Sequence, residues 1–442
     1  MKSLDLSPAR IYTALWYLLI FTLPFEVVQV ALGGISLRMH QIVFVLVVLF
    51  GLWNYHRAIL PTIKTTLRSL TSSTWYYQHI YLTLFSAIWI LSTLGGIVNG
   101  ENLITSIIRS VVFLGYIGVF AVIYYGLRRR EQLYTVVGTL AVSTAVLIII
   151  GFYEAIALPL GWPTYTIFNG RVDSLLPEPN WFGMWLTVIT AIAIPVWYAS
   201  TKPIVRRLLA LLVLGMIFMN VLSITRASWL ATAAVVILFV GQHIIMSNER
   251  KKVLRFVPTL GLTIFLGIAL SQTGLAGLNI TDRVQSIFTQ NLVVYNDTEE
   301  GEKPIREEVR DVNVDGRLKN YQDALLISSQ NLIIGVGQAG FEERVGPGYN
   351  TSNIFLSVLV SAGILGVSLF VTFFYLMFKQ GVYFFRQHSE FSSITIGIMI
   401  SIGITGMFND AFLMGFIWLS FALAARLPDL IIDEDVDKPS QS

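Results

Sequence analysis

Apolar residues in this chain gather into blocks of about 20 positions, each long enough to cross a hydrocarbon core as a helix. The blocks cover residues 11 to 32, 37 to 55, 78 to 98, 104 to 127, 132 to 153, 181 to 199, 205 to 223, 228 to 246, 256 to 272, 352 to 377, 391 to 408 and 411 to 427. Backbone polar groups in lipid must be satisfied within their own segment, so each block predicts a transmembrane helix. The expected fold is an all-α polytopic membrane protein of about twelve spans. Residues 1 to 272 would hold the first nine helices, 273 to 351 one large loop, 352 to 427 the last three helices and 428 to 442 an acidic tail.

The basic residues orient this arrangement. Arg57, Lys64, Arg68, Arg128 to Arg130, Lys202, Arg206, Arg207, Arg250 to Lys252, Arg255, Lys379 and Arg386 all fall in connections that follow even-numbered blocks. The positive-inside rule places those loops and both termini in the cytoplasm, and the large loop outside it. The first block follows Lys2 and Arg10, contains Pro24 and Glu26 and shows no small-residue cleavage site, which predicts a retained signal-anchor helix.

Composition narrows the function classes. The 442 residues are 55% hydrophobic and 13% charged, with a mean hydropathy of +0.68, far from a soluble domain. With no cysteine, a disulfide framework, a thiolate metal site and a cysteine nucleophile are excluded. The net charge of +3 reflects topology and gives no case for nucleic-acid binding.

The basic residues on the outer side differ in kind. They are Arg38, Arg109, Arg171, Arg226, Arg283, Lys303, Arg306, Arg310, Arg317, Lys319 and Arg344. Arginine dominates, and its planar fork grips phosphate with two parallel hydrogen bonds. Loop acids such as Glu307, Glu308 and Asp311 are the alternative partners for some of them. Arg226 lies where two apolar blocks meet with almost no connection, in Leu222-Ser-Ile-Thr-Arg-Ala-Ser-Trp229, so it faces protein or a cavity at the interface rather than lipid.

Within the large loop, Asn296 to Asp315 alternates charge with few apolar residues and reads as a mobile or surface-exposed stretch. From Gly316 the pattern changes: Leu318, Tyr321, Gln322, Leu325 and Leu326 recur at helical spacing. A short amphipathic helix ending near Asn331 follows, with Arg317 and Lys319 on its first turn. Gly335, Gly337 and Gly340 favour a structural turn over a phosphate-cradling loop, because no strand precedes them and the lysine is missing. In the loop near 154 to 180, Pro177-Glu-Pro-Asn180 leads into a helix that Asn180 is placed to cap. That turn does not need Arg171.

Taken in order, these segments resemble the O-antigen ligase and polymerase superfamily of bacterial envelope enzymes, over about residues 160 to 425. The resemblance rests on several segments. They are Arg171 with Pro179-Asn180, Thr225-Arg226-Ala227-Ser228-Trp229, Gly316-Arg317 with its amphipathic helix, Ile334 to Gly337 with Phe341, and Thr351-Ser352-Asn353 at the start of the next helix. It implies a GT-C-like, metal-independent inverting glycosyltransferase of the cytoplasmic (inner) membrane that needs no cofactor. The implied donor is an undecaprenyl-pyrophosphate-linked glycan and the acceptor another glycan or the lipid A core of lipopolysaccharide; the bilayer and polysaccharide-export machinery are the further partners. Arg226 and Arg317 would be catalytic, binding the leaving pyrophosphate with Arg171 and Lys319. Asn180, Ser352 and Asn353 mark the helix starts. The general base is open among Asp315, Asp173 and Glu178. Ligases commonly carry a histidine where this chain has Ser352, and none of His40, His56, His79, His243 and His388 lies in the large loop, which favours a polymerase. A glycolipid flippase or other transporter is the competing class. It would favour polar residues and broken helices at mid-membrane, whereas Glu26, Glu154 and Asp410 all sit near outer ends of blocks. A structural or receptor protein would find the arginines dispensable.

Overall fold

The computed structural model describes residues 7–32, 35–53, 75–157, 160–164, 171–246, 250–271, 291–296, 305–310, 312–346, 350–385 and 392–436. Its apolar helices are α1 (Pro8–Thr22), α2 (Met39–Trp53), α3 (Trp75–Val98), α4 (Leu103–Gly126), α5 (Arg130–Ala157), α6 (Pro179–Ala199), α7 (Pro203–Leu222), α8 (Arg226–Met246) and α9 (Arg250–Ser271). The polar α10 (Val312–Gln330) and short α11 (Gly340–Val345) come next, then α12 (Ile354–Phe385), α13 (Ser392–Gly406) and α14 (Gly415–Val436). Among the described residues, seven helices, α3 to α8 and α12, are long and apolar enough to cross a membrane. Shorter apolar helices span Met39–Trp53, Val257–Leu270, Ser393–Gly406 and Gly415–Pro428. The protein is therefore a helical polytopic membrane protein.

Two expectations are corrected. The first block is not one helix to residue 32: α1 stops at Thr22, and the chain forms a hairpin of β1 (Gln29–Leu32) and β2 (Ile35–Arg38). Pro24 has no N–H to continue the ladder. The charge of Glu26 is buried only because Arg38 Nη1 meets its Oε2 at 2.6 Å. Inside the large loop, β3 (Asn291–Asn296) pairs antiparallel with β4 (Ile305–Arg310), Val293 opposite Glu308. Valine pairs and an isoleucine favour extended backbone there. Helix α10 begins at Val312, which moves Arg317 and Lys319 to its second turn. Arg283, Lys303 and Asp311 lie outside the described residues.

Helix α6 is the axis of the bundle. It is apolar on all sides and buried over most of its length between α5, α7, α8 and α13, as a helix without a polar face must be. Buried hydroxyls and an amide tie its neighbours together: Asn220 Nδ2 donates to Thr232 Oγ1 at 2.6 Å, and Thr187 and Thr232 share a 2.9 Å bond. Such bonds hold helices together where lipid tails supply no hydrophobic drive. A second core is aromatic. Trp89 stacks on Phe113 at 4.1 Å, both pack on Phe412, and Trp418 Nε1 donates to the Phe412 carbonyl. This wedge fixes the turn between α13 and α14.

Helix α12 is broken at Gly363 (φ 67°, ψ −168°), and the chain after α10 fills the break. Ile364 N donates to Leu332 O at 2.8 Å and Leu365 N to Ile333 O, while Val336 N donates to Val360 O at 2.8 Å. Backbone groups that the kink frees are thus satisfied by the loop. Gly335 (φ 78°) lies against the backbone of Ser361 to Gly363 with no room for a side chain.

Candidate functional site

The connections after α1, α3, α5, α7 and α13 meet α10 and α11 at one end of the bundle. Val27 N donates to Leu175 O, Gly415 N to Glu26 Oε1, Asn102 N to Glu343 Oε1 and Tyr321 Oη to Met407 O. Arginines from Arg38 to Arg344 are therefore brought to one end of the bundle, and they divide into two groups.

One group is structural. Arg38 is committed to buried Glu26 and also donates to Leu413 O and Tyr116 Oη. Arg109 pairs with Glu342 and donates to Gln338 O at 3.0 Å; Arg344 reaches buried Glu101 at 3.6 Å. These pairs clamp α11 onto the α3–α4 turn. The acids that capture these arginines are Glu26, Glu101 and Glu342; the side chains of Glu307 and Glu308, and of Arg306 and Arg310, fall outside the description. Burial, more than any neighbouring charge, pushes the Glu101 carboxyl above its ordinary range. The folded protein then holds that proton more tightly than the unfolded chain, so this group's contribution to stability is present at low pH and is lost as pH rises through the raised folded value. Glu101→Gln is expected to flatten that part of the stability profile, measured as thermal unfolding in detergent across pH; an unchanged slope would exclude the assignment.

The other group lines one pocket. Arg171, Asn180, Ile224, Thr225, Arg226, Ala227 and Arg317 surround a space of about 300 Å³ that opens to solvent. Asn180 lies in the first turn of α6, Arg226 opens α8, and Arg317 projects from α10. Two helix N-termini, with their unsatisfied amides and positive dipole ends, thus converge with three guanidinium groups. Gly183 lets the α7–α8 turn seat closely on α6, since a side chain there would meet Ser228 and Ser223.

Arg171 is only 9% exposed and builds the pocket floor. Its Nε and Nη2 donate to Ser223 O at 3.2 and 3.1 Å, and Nη2 also reaches Thr225 Oγ1 and Asn180 Oδ1 at 3.2 and 3.3 Å. Ser223 is the C-cap of α7, so the guanidinium satisfies a carbonyl that the helix C-terminus leaves orphaned. It also supports Ile224, a β-branched residue held at φ 52°. Among the described residues, the non-glycine positions with positive φ are Ser174, Ile224 and Ser352, each in a different loop at this end. Backbone strain of that kind concentrates where loops are held to a task.

Asn180 does not cap α6. Pro179 starts the helix one residue earlier, Glu178 takes the cap position, and the Asn180 amide bonds Arg171 instead. Asn353 does cap: its Oδ1 accepts from Phe355 N at 2.8 Å and Leu356 N at 3.1 Å. Asn353→Ala is expected to lower stability by about 1 kcal/mol, read as a drop in thermal midpoint. Ser352, next to it, accepts from Asn320 Nδ2 at 3.1 Å and so ties α10 to α12. Lys319 is exposed and outside the pocket lining. Asp173 is 1% exposed and outside the pocket lining. Asp315 lies in the first turn of α10, its side chain outside the description.

Asp410, between α13 and α14, was not among the residues picked from sequence. Its Oδ2 accepts from Thr351 Oγ1 at 3.2 Å, beside the Ser352 turn, and burial raises its pKa. The signal available beforehand was a lone carboxylate in an apolar stretch.

Residues 211–371 match the family described as O-antigen ligase. The matched segment runs from α7 through the large loop into α12, and includes Arg226, Arg317, Ser352 and Asn353. No curated protein matches the chain.

Proposed function

We propose that this protein transfers or polymerises undecaprenyl-pyrophosphate-linked glycan at the outer face of the bacterial inner membrane, building surface polysaccharide. The observation that carries the proposal is the pocket where Arg171, Arg226 and Arg317 converge on two helix N-termini. A pyrophosphate leaving group gains negative charge as its bond to the anomeric carbon breaks. Cations already in place stabilise that charge without reorganising. Arg226 and Arg317 hold the pyrophosphate, Arg171 positions the turn that presents Arg226, and the acceptor hydroxyl attacks from the opposite side with inversion. Three guanidinium groups balance the charge of a pyrophosphate, so no metal is required. Ser352 in place of the ligase histidine favours a polymerase, whose acceptor is a second lipid-linked glycan.

The test uses purified protein in liposomes supplied with polyprenyl-pyrophosphate oligosaccharide, with and without lipid A core. Longer glycans mark a polymerase and a lipid A conjugate a ligase. Movement of the glycolipid across the bilayer with no new glycosidic bond would replace the transferase by a transporter.

A further inference from the structure

We propose that the end of α10 and the turn after it are set into the bilayer leaflet on the pocket's side, where Leu325, Leu326, Leu332 and Ile333 contact lipid acyl chains. The two faces of α10 serve different partners. Along one face, Arg317 lines the pocket, Asn320 donates to Ser352 Oγ and Tyr321 to Met407 O, and Ala324 and Ile327 pack with Val336, Phe341 and Val360. The leucines lie on the other face. Leu318, Leu325, Leu326, Leu332 and Ile333 are each more than half exposed. A helix standing in water would turn such residues onto its packed face.

The occupant of this surface follows from its depth. Contacts between α10 and α12 advance together, from Asn320 on Ser352, through the cluster that joins Ala324 and Ile327 to Val360, to Leu332 on Ile364. Helix α10 therefore descends beside α12 toward the break at Gly363. Further along α12, exposed Lys379 belongs at the opposite membrane boundary. From Ile364 to Lys379 a helix rises only about 23 Å, less than a hydrocarbon core of about 30 Å. The break thus lies within the depth of the core. Helix α3 gives the same level: Ser92 donates to Ser361 O, Ile334 lies against Gly95, and Val336 O fills the space that Gly96 leaves, all inside the apolar span that ends at Val98.

The spans that hold the turn also expose Leu91 and Leu94 on α3 and Ile364 and Leu365 on α12. Apolar surface therefore runs on from the turn into surface that the bilayer covers. Irregular backbone survives at this depth because the broken helix satisfies it, with Leu332 O, Ile333 O and Val336 N all bonded to α12. Exposed Lys319, two turns before Leu326, falls at headgroup level, and a cation beside a leucine face is the pattern of an interfacial helix. Lipid contact on one face fixes the depth at which the other presents Arg317 to the pocket. This inference does not depend on the reaction performed there.

The chain contains no cysteine, so Lys319→Cys, Leu326→Cys, Ile333→Cys and Ile364→Cys variants each accept one NBD fluorophore. In phosphatidylcholine proteoliposomes, quenching by lipids with a nitroxide on the acyl chain is compared with quenching by aqueous iodide. Leu326→Cys and Ile333→Cys are expected to match Ile364→Cys in acyl-chain quenching within about twofold, and to be quenched by iodide at least about fivefold less than Lys319→Cys. Leu325→Cys and Leu332→Cys give the same readout should either of the first pair fail to fold, as judged by size-exclusion chromatography. Iodide quenching equal to that of Lys319→Cys would overturn the proposal. Protection from iodide without acyl-chain quenching would also overturn it, by assigning the surface to a protein partner or a second copy of the chain. Acyl-chain quenching that added polyprenyl phosphate abolishes would overturn it in favour of a prenyl chain.

Discussion

Arg226→Ala and Arg317→Ala are each expected to cut glycan transfer about 1,000-fold at saturating donor while leaving the thermal midpoint close to that of wild type. Both side chains line the pocket from separate elements, the start of α8 and the second turn of α10. Neither is as buried as Arg171. Their loss removes charge from the leaving-group site without emptying the core. Arg171→Ala should behave differently. It strips donors from Ser223 O, Thr225 Oγ1 and Asn180 Oδ1, and buried acceptors left unsatisfied cost roughly 1 to 3 kcal/mol each. That variant loses stability and transfer together. Initial rates and unfolding curves for the three variants distinguish pyrophosphate binding from support of the turn. Transfer above a tenth of wild type in both Arg226→Ala and Arg317→Ala would remove the pocket from the mechanism.

The largest structural effect is expected at the break in α12. Gly335→Ala forces a left-handed conformation (φ 78°) on a residue with a side chain, and its methyl would meet backbone atoms of Ser361, Ala362 and Gly363. Backbone cannot swing aside as a flexible side chain can. The insertion of residues 332 to 336 would be expelled, and Ile364 N, Leu365 N and Val360 O would lose their partners. Three unsatisfied buried backbone groups at about 1 to 3 kcal/mol apiece are enough to unfold a marginally stable protein. The expected result is loss of folded protein on size-exclusion chromatography in detergent. Gly100→Ala serves as a comparison: it also replaces a positive-φ glycine (φ 95°), but with open space around it, and should fold with only a small loss. If Gly335→Ala melts with Gly100→Ala, the loop does not brace the helix. The brace bears on function because α10, which carries Arg317, is joined to α12 through this loop.

The apolar blocks were legible because membrane crossing is a one-dimensional requirement of length and composition, and most helices fall on their blocks within a few residues. Arg226 was legible for a similar reason, as a charge where two apolar blocks meet, whereas Arg171 and Arg317 lie in loops and were picked with the family resemblance. Where the sequence misled, the deciding contact lay far along the chain. Nothing near residue 26 announces that Arg38 and the α13–α14 turn absorb its charge, so α1 was read ten residues too long. Asn180 is a good capping residue by type, but Pro179 moves the helix start and Arg171 takes the amide. The glycines at 335 and 337 read as a turn, without showing that the turn fills a kink in a helix beginning nearly 20 residues later. Arg109 and Arg344 stood in the outer basic set, and α11 sets its Glu342 against Arg109 and its Arg344 against Glu101 of the α3–α4 turn.

By itself, then, the sequence determined a helical membrane protein and which arginines needed explaining, because burial of apolar surface and avoidance of isolated charge act residue by residue. Only the tertiary structure decided which arginines share a pocket and which serve as clamps. Those choices depend on loops separated by tens to hundreds of residues meeting at one end of the bundle, and no local pattern encodes that meeting.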